Sequence, residues 1–183
     1  ALLKMLAEND NDDPMLRHAG SYALALINEP QLMHEHVTDY NEAALLGVVL
    51  ALRHNADPAV GWYINNQHPL TAAEVARAIY DMQVDEAMPL LAAWVDSELP
   101  ESLRIEPILR RVIEANAQLG GAEQAERLAR LAADPAFDAS WRKLALQELD
   151  GWDQVKNREG VWGHWRPRPA HDVGEVAAAL AKH

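Results

Sequence analysis

Cysteine is absent from the 183 residues. That excludes a disulfide, a thiolate nucleophile, a cysteine-based zinc site and covalent c-type haem attachment within this chain. It also removes the residue from which redox compartment is usually read. Phenylalanine occurs once, as Phe137, and serine four times, at Ser21, Ser97, Ser102 and Ser140, each in a helix or cap context. No run approaches the ~20 consecutive apolar residues of a membrane-crossing helix, and no leader pattern opens the chain. Ala1 falls inside a helical pattern, as expected of a piece cut from a longer protein. Nucleophile elbow, P-loop, dinucleotide fingerprint and His-Glu-x-x-His are all missing. No catalytic, cofactor-binding or metal-ligating set is therefore expected here.

Positive charge is scarce and unevenly placed. There are 16 basic against 28 acidic residues, a net charge of −12. Residues 1–100 hold only 4 of the basic groups and 15 of the acidic ones. A surface of this sign repels polyanions, so nucleic acid and anionic membrane are poor partners. The exception would be a local strip formed by Arg104, Arg110, Arg111, Arg127, Arg130 and Arg142.

Ala and Leu dominate the hydrophobic 49%, and long β-branched runs are absent, so propensity leans to helix throughout. The i, i+3, i+4, i+7 spacing of one buried helix face recurs. Leu45, Val48, Val49 and Leu52 fit it, as do Val75, Ala78, Ile79 and Met82, and Ile105, Ile108, Leu109 and Val112. No segment alternates as a strand. Asp13-Pro14, Asp57-Pro58 and Asp134-Pro135 each set an N-cap before a first-turn proline. Asn41 caps a helix from Glu42. Thr71 to Glu74 reads as a capping box, Gly120-Gly121 separates two helices, and Pro107 must lie at a helix start or a kink. The spacing predicts helices near 1–8, 13–27, 30–38, 42–54, 57–66, 71–83, 85–97, 102–119, 121–133 and 138–150. They pair as 13–38, 42–66, 71–97 and 102–133, roughly every 30 residues. A recurring helix pair at such a period marks an α-solenoid. The fold class expected is all-α, a right-handed solenoid of about four to five helix pairs over residues 1–158. Residues 159–183 form an extended tail with a short helix near 173–181.

Asp12-Asp13-Pro14-Met15-Leu16-Arg17-His18-Ala19 resembles the first helix of a HEAT repeat. The resemblance implies that Arg17 bonds across to a neighbouring repeat. A wider resemblance covers Asn41 to Asp172. It includes Leu46-Gly47-Val48-Val49-Leu50-Ala51-Leu52-Arg53, Glu74-Val75-Ala76-Arg77-Ala78-Ile79-Tyr80-Asp81, Glu86-Ala87-Met88-Pro89-Leu90-Leu91-Ala92, Arg110-Arg111-Val112-Ile113-Glu114-Ala115-Asn116 and Trp162-Gly163-His164-Trp165-Arg166-Pro167. These segments are similar to the HEAT-repeat region of large bacterial haem-binding proteins that look like membrane-bound dehydrogenases. There, a propeller related to sugar dehydrogenases precedes the repeats and a CxxCH cytochrome follows. By that resemblance the chain is a non-catalytic scaffold between redox modules outside the cytoplasm, with protein as its partner. The alternative is a HEAT-like DNA-repair glycosylase, which needs a basic groove and an aromatic–acid pocket. A prosthetic-group-handling HEAT protein shares only the architecture.

His34 and His36 stand two apart, which on a helix directs them to different sides and makes them poor chelators. Asn9 to Asp13 has the composition of a calcium loop but lacks its central Gly and closing Glu. Glu74, Arg77 and Asp81 share a helix face, as an ion-paired ladder or an acid–base set. Trp94 and Trp141 take near-core positions. Trp62 and Tyr63 fit either a partner anchor or the core. Trp162 and Trp165 lie in a proline-bounded stretch that cannot be helical. Either they fold back to cap the last repeat, or they dock on a neighbouring module.

Overall fold

The computed structural model describes residues 1–183. It is mostly helical, with a single two-stranded sheet, so the chain is all-α. It divides into two compact units, Ala1–Met88 and Pro89–His183.

In the first unit α1 (Leu2–Asn9), α2 (Pro14–Ile27), α3 (Pro30–Val37), α4 (Glu42–Asn55) and α5 (Pro69–Asp81) follow in order, with a 3-10 turn at Pro58–Tyr63 between the last two. Asp13 caps α2 by accepting from the N–H groups of Met15 at 2.8 Å and Leu16 at 3.3 Å. Asn41 caps α4 through Ala44, and Asp57 caps the 3-10 turn through Ala59. Each cap satisfies a donor that the helix itself leaves free. Helix α4 is apolar almost all round, burying Ala43, Ala44, Leu46, Gly47, Val48, Val49, Ala51 and Leu52. It is accordingly the unit's central helix, packed by α1, α2, α3 and α5.

Leu6 of α1 wedges against α2 and α4 where each presents a glycine. A Cβ on Gly20 would lie 2.8 Å from Leu6 Cδ2, and one on Gly47 would lie 2.6 Å from Leu6 Cδ1. Gly47→Ala should therefore destabilise the native background, because overpacking costs about 1–3 kcal/mol against the ~1 kcal/mol that Ala gains over Gly in a helix. In a Leu6→Ala background the clash is gone and the same substitution should stabilise. Urea melts of the four proteins check this; equal effects of Gly47→Ala in both backgrounds would contradict the wedge.

In the second unit α6 (Met88–Ala92, its first residue belonging to the first unit) runs into a 3-10 turn at Ala93–Asp96. After it come a turn at Glu101–Leu103, α7 (Glu106–Leu119), α8 (Ala122–Ala133) and α9 (Ala139–Asp150). Strands β1 (Lys156–Arg158) and β2 (Trp165–Arg168) then pair antiparallel, with an irregularity in register, and α10 (Val173–Leu180) ends the order. Helix α8 packs against α7, α9 and α10. The core joins Ile113, Leu128, Leu131, Leu149, Trp152 and Val176.

Several expectations change. The helix expected over 57–66 is a six-residue 3-10 turn, too short and too Gly/Pro-punctuated for an α-helix. The one expected over 85–97 is a short α-helix running into a 3-10 turn. Helix α5 begins two residues before the capping box. Thr71 is buried without a partner for its hydroxyl, and Glu74 turns to arginines instead of a backbone N–H. Arg17 bonds to no neighbouring helix; Arg53 of α4 takes that role, reaching Glu74 of α5 at 2.6 Å. The stretch expected to be extended is a hairpin that starts at Lys156, ahead of the 158/159 boundary, and it sits in the same compact unit as α7 to α9.

Candidate functional site

Alternation along a strand sends successive side chains to opposite faces. In β2 that rule buries Arg166 and Arg168 and exposes Trp165 and Pro167. The usual polarity is thus inverted, with charges inward and an aromatic outward. Carboxylates on α7 and α9 explain the inversion.

Glu148 of α9 accepts from Lys156 Nζ at 2.8 and 2.9 Å and from Arg168 Nη1 at 2.8 Å. Its side chain is only 9% exposed and that of Arg168 only 4%, which makes this a buried ion triad. Glu114 of α7 accepts the Gly160 N–H at 3.0 Å. The backbone comes so close there that a Cβ on residue 160 would overlap the carboxylate, which would have to shift to admit any other residue. Buried Glu159 accepts from the N–H groups of Val161 at 2.7 Å, Trp162 at 2.9 Å and His164 at 2.8 Å, which fastens the turn between the strands. Arg110 donates to the Gly160 carbonyl at 3.2 Å and Gln118 to that of Pro167 at 3.2 Å. The cavity left among these groups is about 50 Å³, room for a water and not for a substrate.

Burial is the main cause that raises the Glu114 carboxyl above its ordinary value of 4.5, and the Glu148 charge adds to it; the Gly160 N–H, Lys156 and Arg168 pull the other way. A raised folded value means that the stability tied to protonation is fully present below pH 4.5 and lost as pH rises through the folded value. At neutral pH the ionised Glu114 is therefore a cost. Glu114→Gln keeps an acceptor for Gly160 and should be more stable than the native chain at pH 7, with the gap closing as pH falls toward 4.5. Chemical melts across that window check it; a gap that widens on acidification would contradict the sign.

Two tryptophans stand on the outer side of this latch. Trp162 is 61% and Trp165 65% exposed. They do not cap the core, as one of the two sequence readings had it: the hairpin folds back through its charges. The Trp162 ring faces the Arg111 guanidinium, which lies 5.7 Å from its centre.

The other aromatic pair lies in the first unit and splits. Trp62 is 50% exposed, whereas Tyr63 is buried beside it and offers little to a partner. The Tyr63 hydroxyl meets His34 Nδ1 at 3.2 Å, and the His34 ring sits 5.1 Å from that of Trp62. Burial pushes the Tyr63 phenol up to about 12. His34 is thus a packing partner of Tyr63, while His36 stays exposed on another side of α3.

Elsewhere, Asn9 bonds both the N–H and the carbonyl of Asp13, making the acidic loop a self-bonded connection. Glu74 joins Arg53 and Arg77 as an ion-paired ladder. Trp94 is buried and Trp141 half-buried against the core. Trp152, which no pattern singled out, is fully buried, and its indole N–H donates to Glu175 at 3.0 Å. Burial pushes the Asp96 carboxyl up, but hydrogen bonds from Arg127 and Arg130 outweigh it and hold the group below the ordinary range.

No family model, curated protein or solved structure matches the chain.

Proposed function

We propose that this chain is a non-catalytic protein-interaction scaffold, a right-handed solenoid of about four to five HEAT-like helix pairs within a larger protein. In that protein it links a sugar-dehydrogenase-like propeller to a c-type cytochrome outside the cytoplasm, and its partner is protein, not nucleic acid. The observation that carries the interaction reading is the inverted hairpin. A β-strand that buries arginine and exposes tryptophan places its largest apolar side chain where it contributes least to folding. Exposed aromatics on a fixed backbone lose little conformational entropy on binding and are favoured at interface hot spots. Successive packing of α2 on α4 and α4 on α5, and of α7 on α8 and α8 on α9, supports the solenoid, since repeats of that kind bury their apolar faces against neighbours.

The glycosylase alternative has less support. It needs free basic groups along a groove, and the six candidate arginines are engaged at home. Arg127 and Arg130 bond Asp96, Arg110 bonds Glu106, and Arg104 and Arg142 donate to the carbonyls of Ala136 and Ala132. Arg111 is buried and donates to the Pro107 carbonyl.

Affinity capture with the native chain and with Trp162→Ala/Trp165→Ala tests the interaction reading. The result expected is a discrete protein retained by the native chain and lost with the double variant. The same proteins retained by both would refute it.

A further inference from the structure

A cleft of about 250 Å³ lies between α2 and α4 in the first unit, lined by Arg17, His18, Ser21, Tyr22 and His54 together with Pro14 and Leu50. Its lining has the opposite sign to its surroundings. Ala1–Met88 carries only four basic residues, Lys4, Arg17, Arg53 and Arg77, and far more acidic ones, yet no Asp or Glu lines this cleft. Three of the four cations are neutralised: Lys4 by Glu8 at 3.7 Å, and both Arg53 and Arg77 by Glu74. Arg17 alone has no carboxylate partner, and its side chain is half-buried in the cleft wall.

The neighbours of Arg17 are donors held in place. Tyr22 stacks on His18 with ring centres 6.2 Å apart and meets His54 edge-on at 5.2 Å. The three rings thus brace one another across the two helices, and neither imidazole is tied into a hydrogen bond with the protein. The Ser21 hydroxyl spends its proton on the His18 carbonyl at 3.1 Å. What remains directed at a ligand is a guanidinium fork, two imidazoles and a phenol, with no negative group among them. Such a set is complementary to an oxyanion, and the Arg fork matches phosphate oxygens two at a time. The cleft is smaller than the ~300–1,000 Å³ of drug-sized ligand sites, so it suits one compact group.

We propose that the α2–α4 cleft binds a tetrahedral oxyanion of the phosphate type, with Arg17 as its principal ligand and His18, His54 and Tyr22 as flanking donors. The site lies wholly within Ala1–Met88 and does not depend on the scaffold reading or on the hairpin tryptophans.

The test uses the whole chain and inorganic phosphate as the probe, titrated against chloride at constant ionic strength. The imidazole resonances of His18 and His54 are followed by NMR, with acetate as a parallel titrant. The result expected is that both imidazoles shift together and saturably with phosphate. Arg17→Gln should weaken the binding at least tenfold while leaving distant resonances in place, and Arg17→Lys should fall between. No saturation, an unchanged affinity in Arg17→Gln, or acetate binding as tightly as phosphate would each overturn the proposal. The acetate outcome would mark a planar carboxylate site in its place.

Discussion

Glu148→Ala should lower the stability of Pro89–His183 by about 3–5 kcal/mol, the usual cost of leaving buried charges without their counter-charge. Arg168 is nearly fully buried, and Glu148 is its carboxylate partner, at 2.8 Å. Lys156 is a third exposed and can turn to water, so most of the loss belongs to Arg168. Two strands of three and four residues cannot stand alone, so the hairpin should undock when its anchor is removed. For a unit of this size the cost corresponds to a fall in Tm of at least about 10 °C. Circular dichroism melting reads it. A melting curve within about 2 °C of the native one would mean that the triad contributes no more than a surface ion pair. Glu148→Ala combined with Lys156→Met and Arg168→Met should recover much of the loss, because apolar replacement of a whole buried ion cluster is commonly neutral or stabilising.

Trp152→Ala should cost a comparable ~3–5 kcal/mol, the range for deleting a large buried aromatic. The indole is fully buried at the end of α9, lies 4.9 Å from the His171 ring and donates to Glu175 of α10. Its carbonyl also accepts the His171 N–H at 2.9 Å. Cavity formation is thus joined by the loss of the bond that ties α10 to the turn after α9. Hydrogen exchange should show α10 losing protection before α7 does. Trp152→Phe fills most of the space and loses only the bond to Glu175, so it should fall by much less. Equal losses in the two variants would place the effect in that hydrogen bond and not in packing.

The helical fold was legible because its signals are local. Asp13, Asn41 and Asp57 each announce a start by a cap that needs only the next three residues. The apolar spacing in α4 and α7 reports burial without knowledge of what covers it. Short elements carried too little of either signal. The 3-10 turn at Pro58–Tyr63 and the five-residue α6 were read as longer helices because propensity does not separate a tight turn from one more turn of α-helix. The Thr71–Glu74 box failed because α5 starts at Pro69 and leaves Thr71 inside its first turn, and Glu74 pairs with Arg53, 21 residues away.

The hairpin was invisible for a related reason. Its strands have no apolar alternation, because the residues that alternate inward are Arg166 and Arg168. Strand patterns are sought as apolar-in, polar-out, and here the core side is charged. The partners that make this possible, Glu114 and Glu148, sit 54 and 20 residues from Arg168, on helices read only for their apolar stripes. A carboxylate on a face otherwise buried, as Glu114 is between Ile113 and Ala115, was the one signal available. Trp162 and Trp165 were visible as unusual, but their direction depends on that unseen charge pairing. Trp152 was visible only as a tryptophan near a helix end.

The claim on which the interaction reading rests is that the hairpin is held by its charges and leaves Trp162 and Trp165 surplus to folding. Thermal melting of Trp162→Ala/Trp165→Ala tests it most directly. The ring contact at stake, between the exposed Trp162 and the buried Arg111, is worth about 0.5–2 kcal/mol. The result expected is a melting curve displaced by no more than a few degrees, far short of Glu148→Ala. A fall as large as that of Glu148→Ala would show that the tryptophans hold the unit together, and the surface assigned to a partner would then belong to the fold.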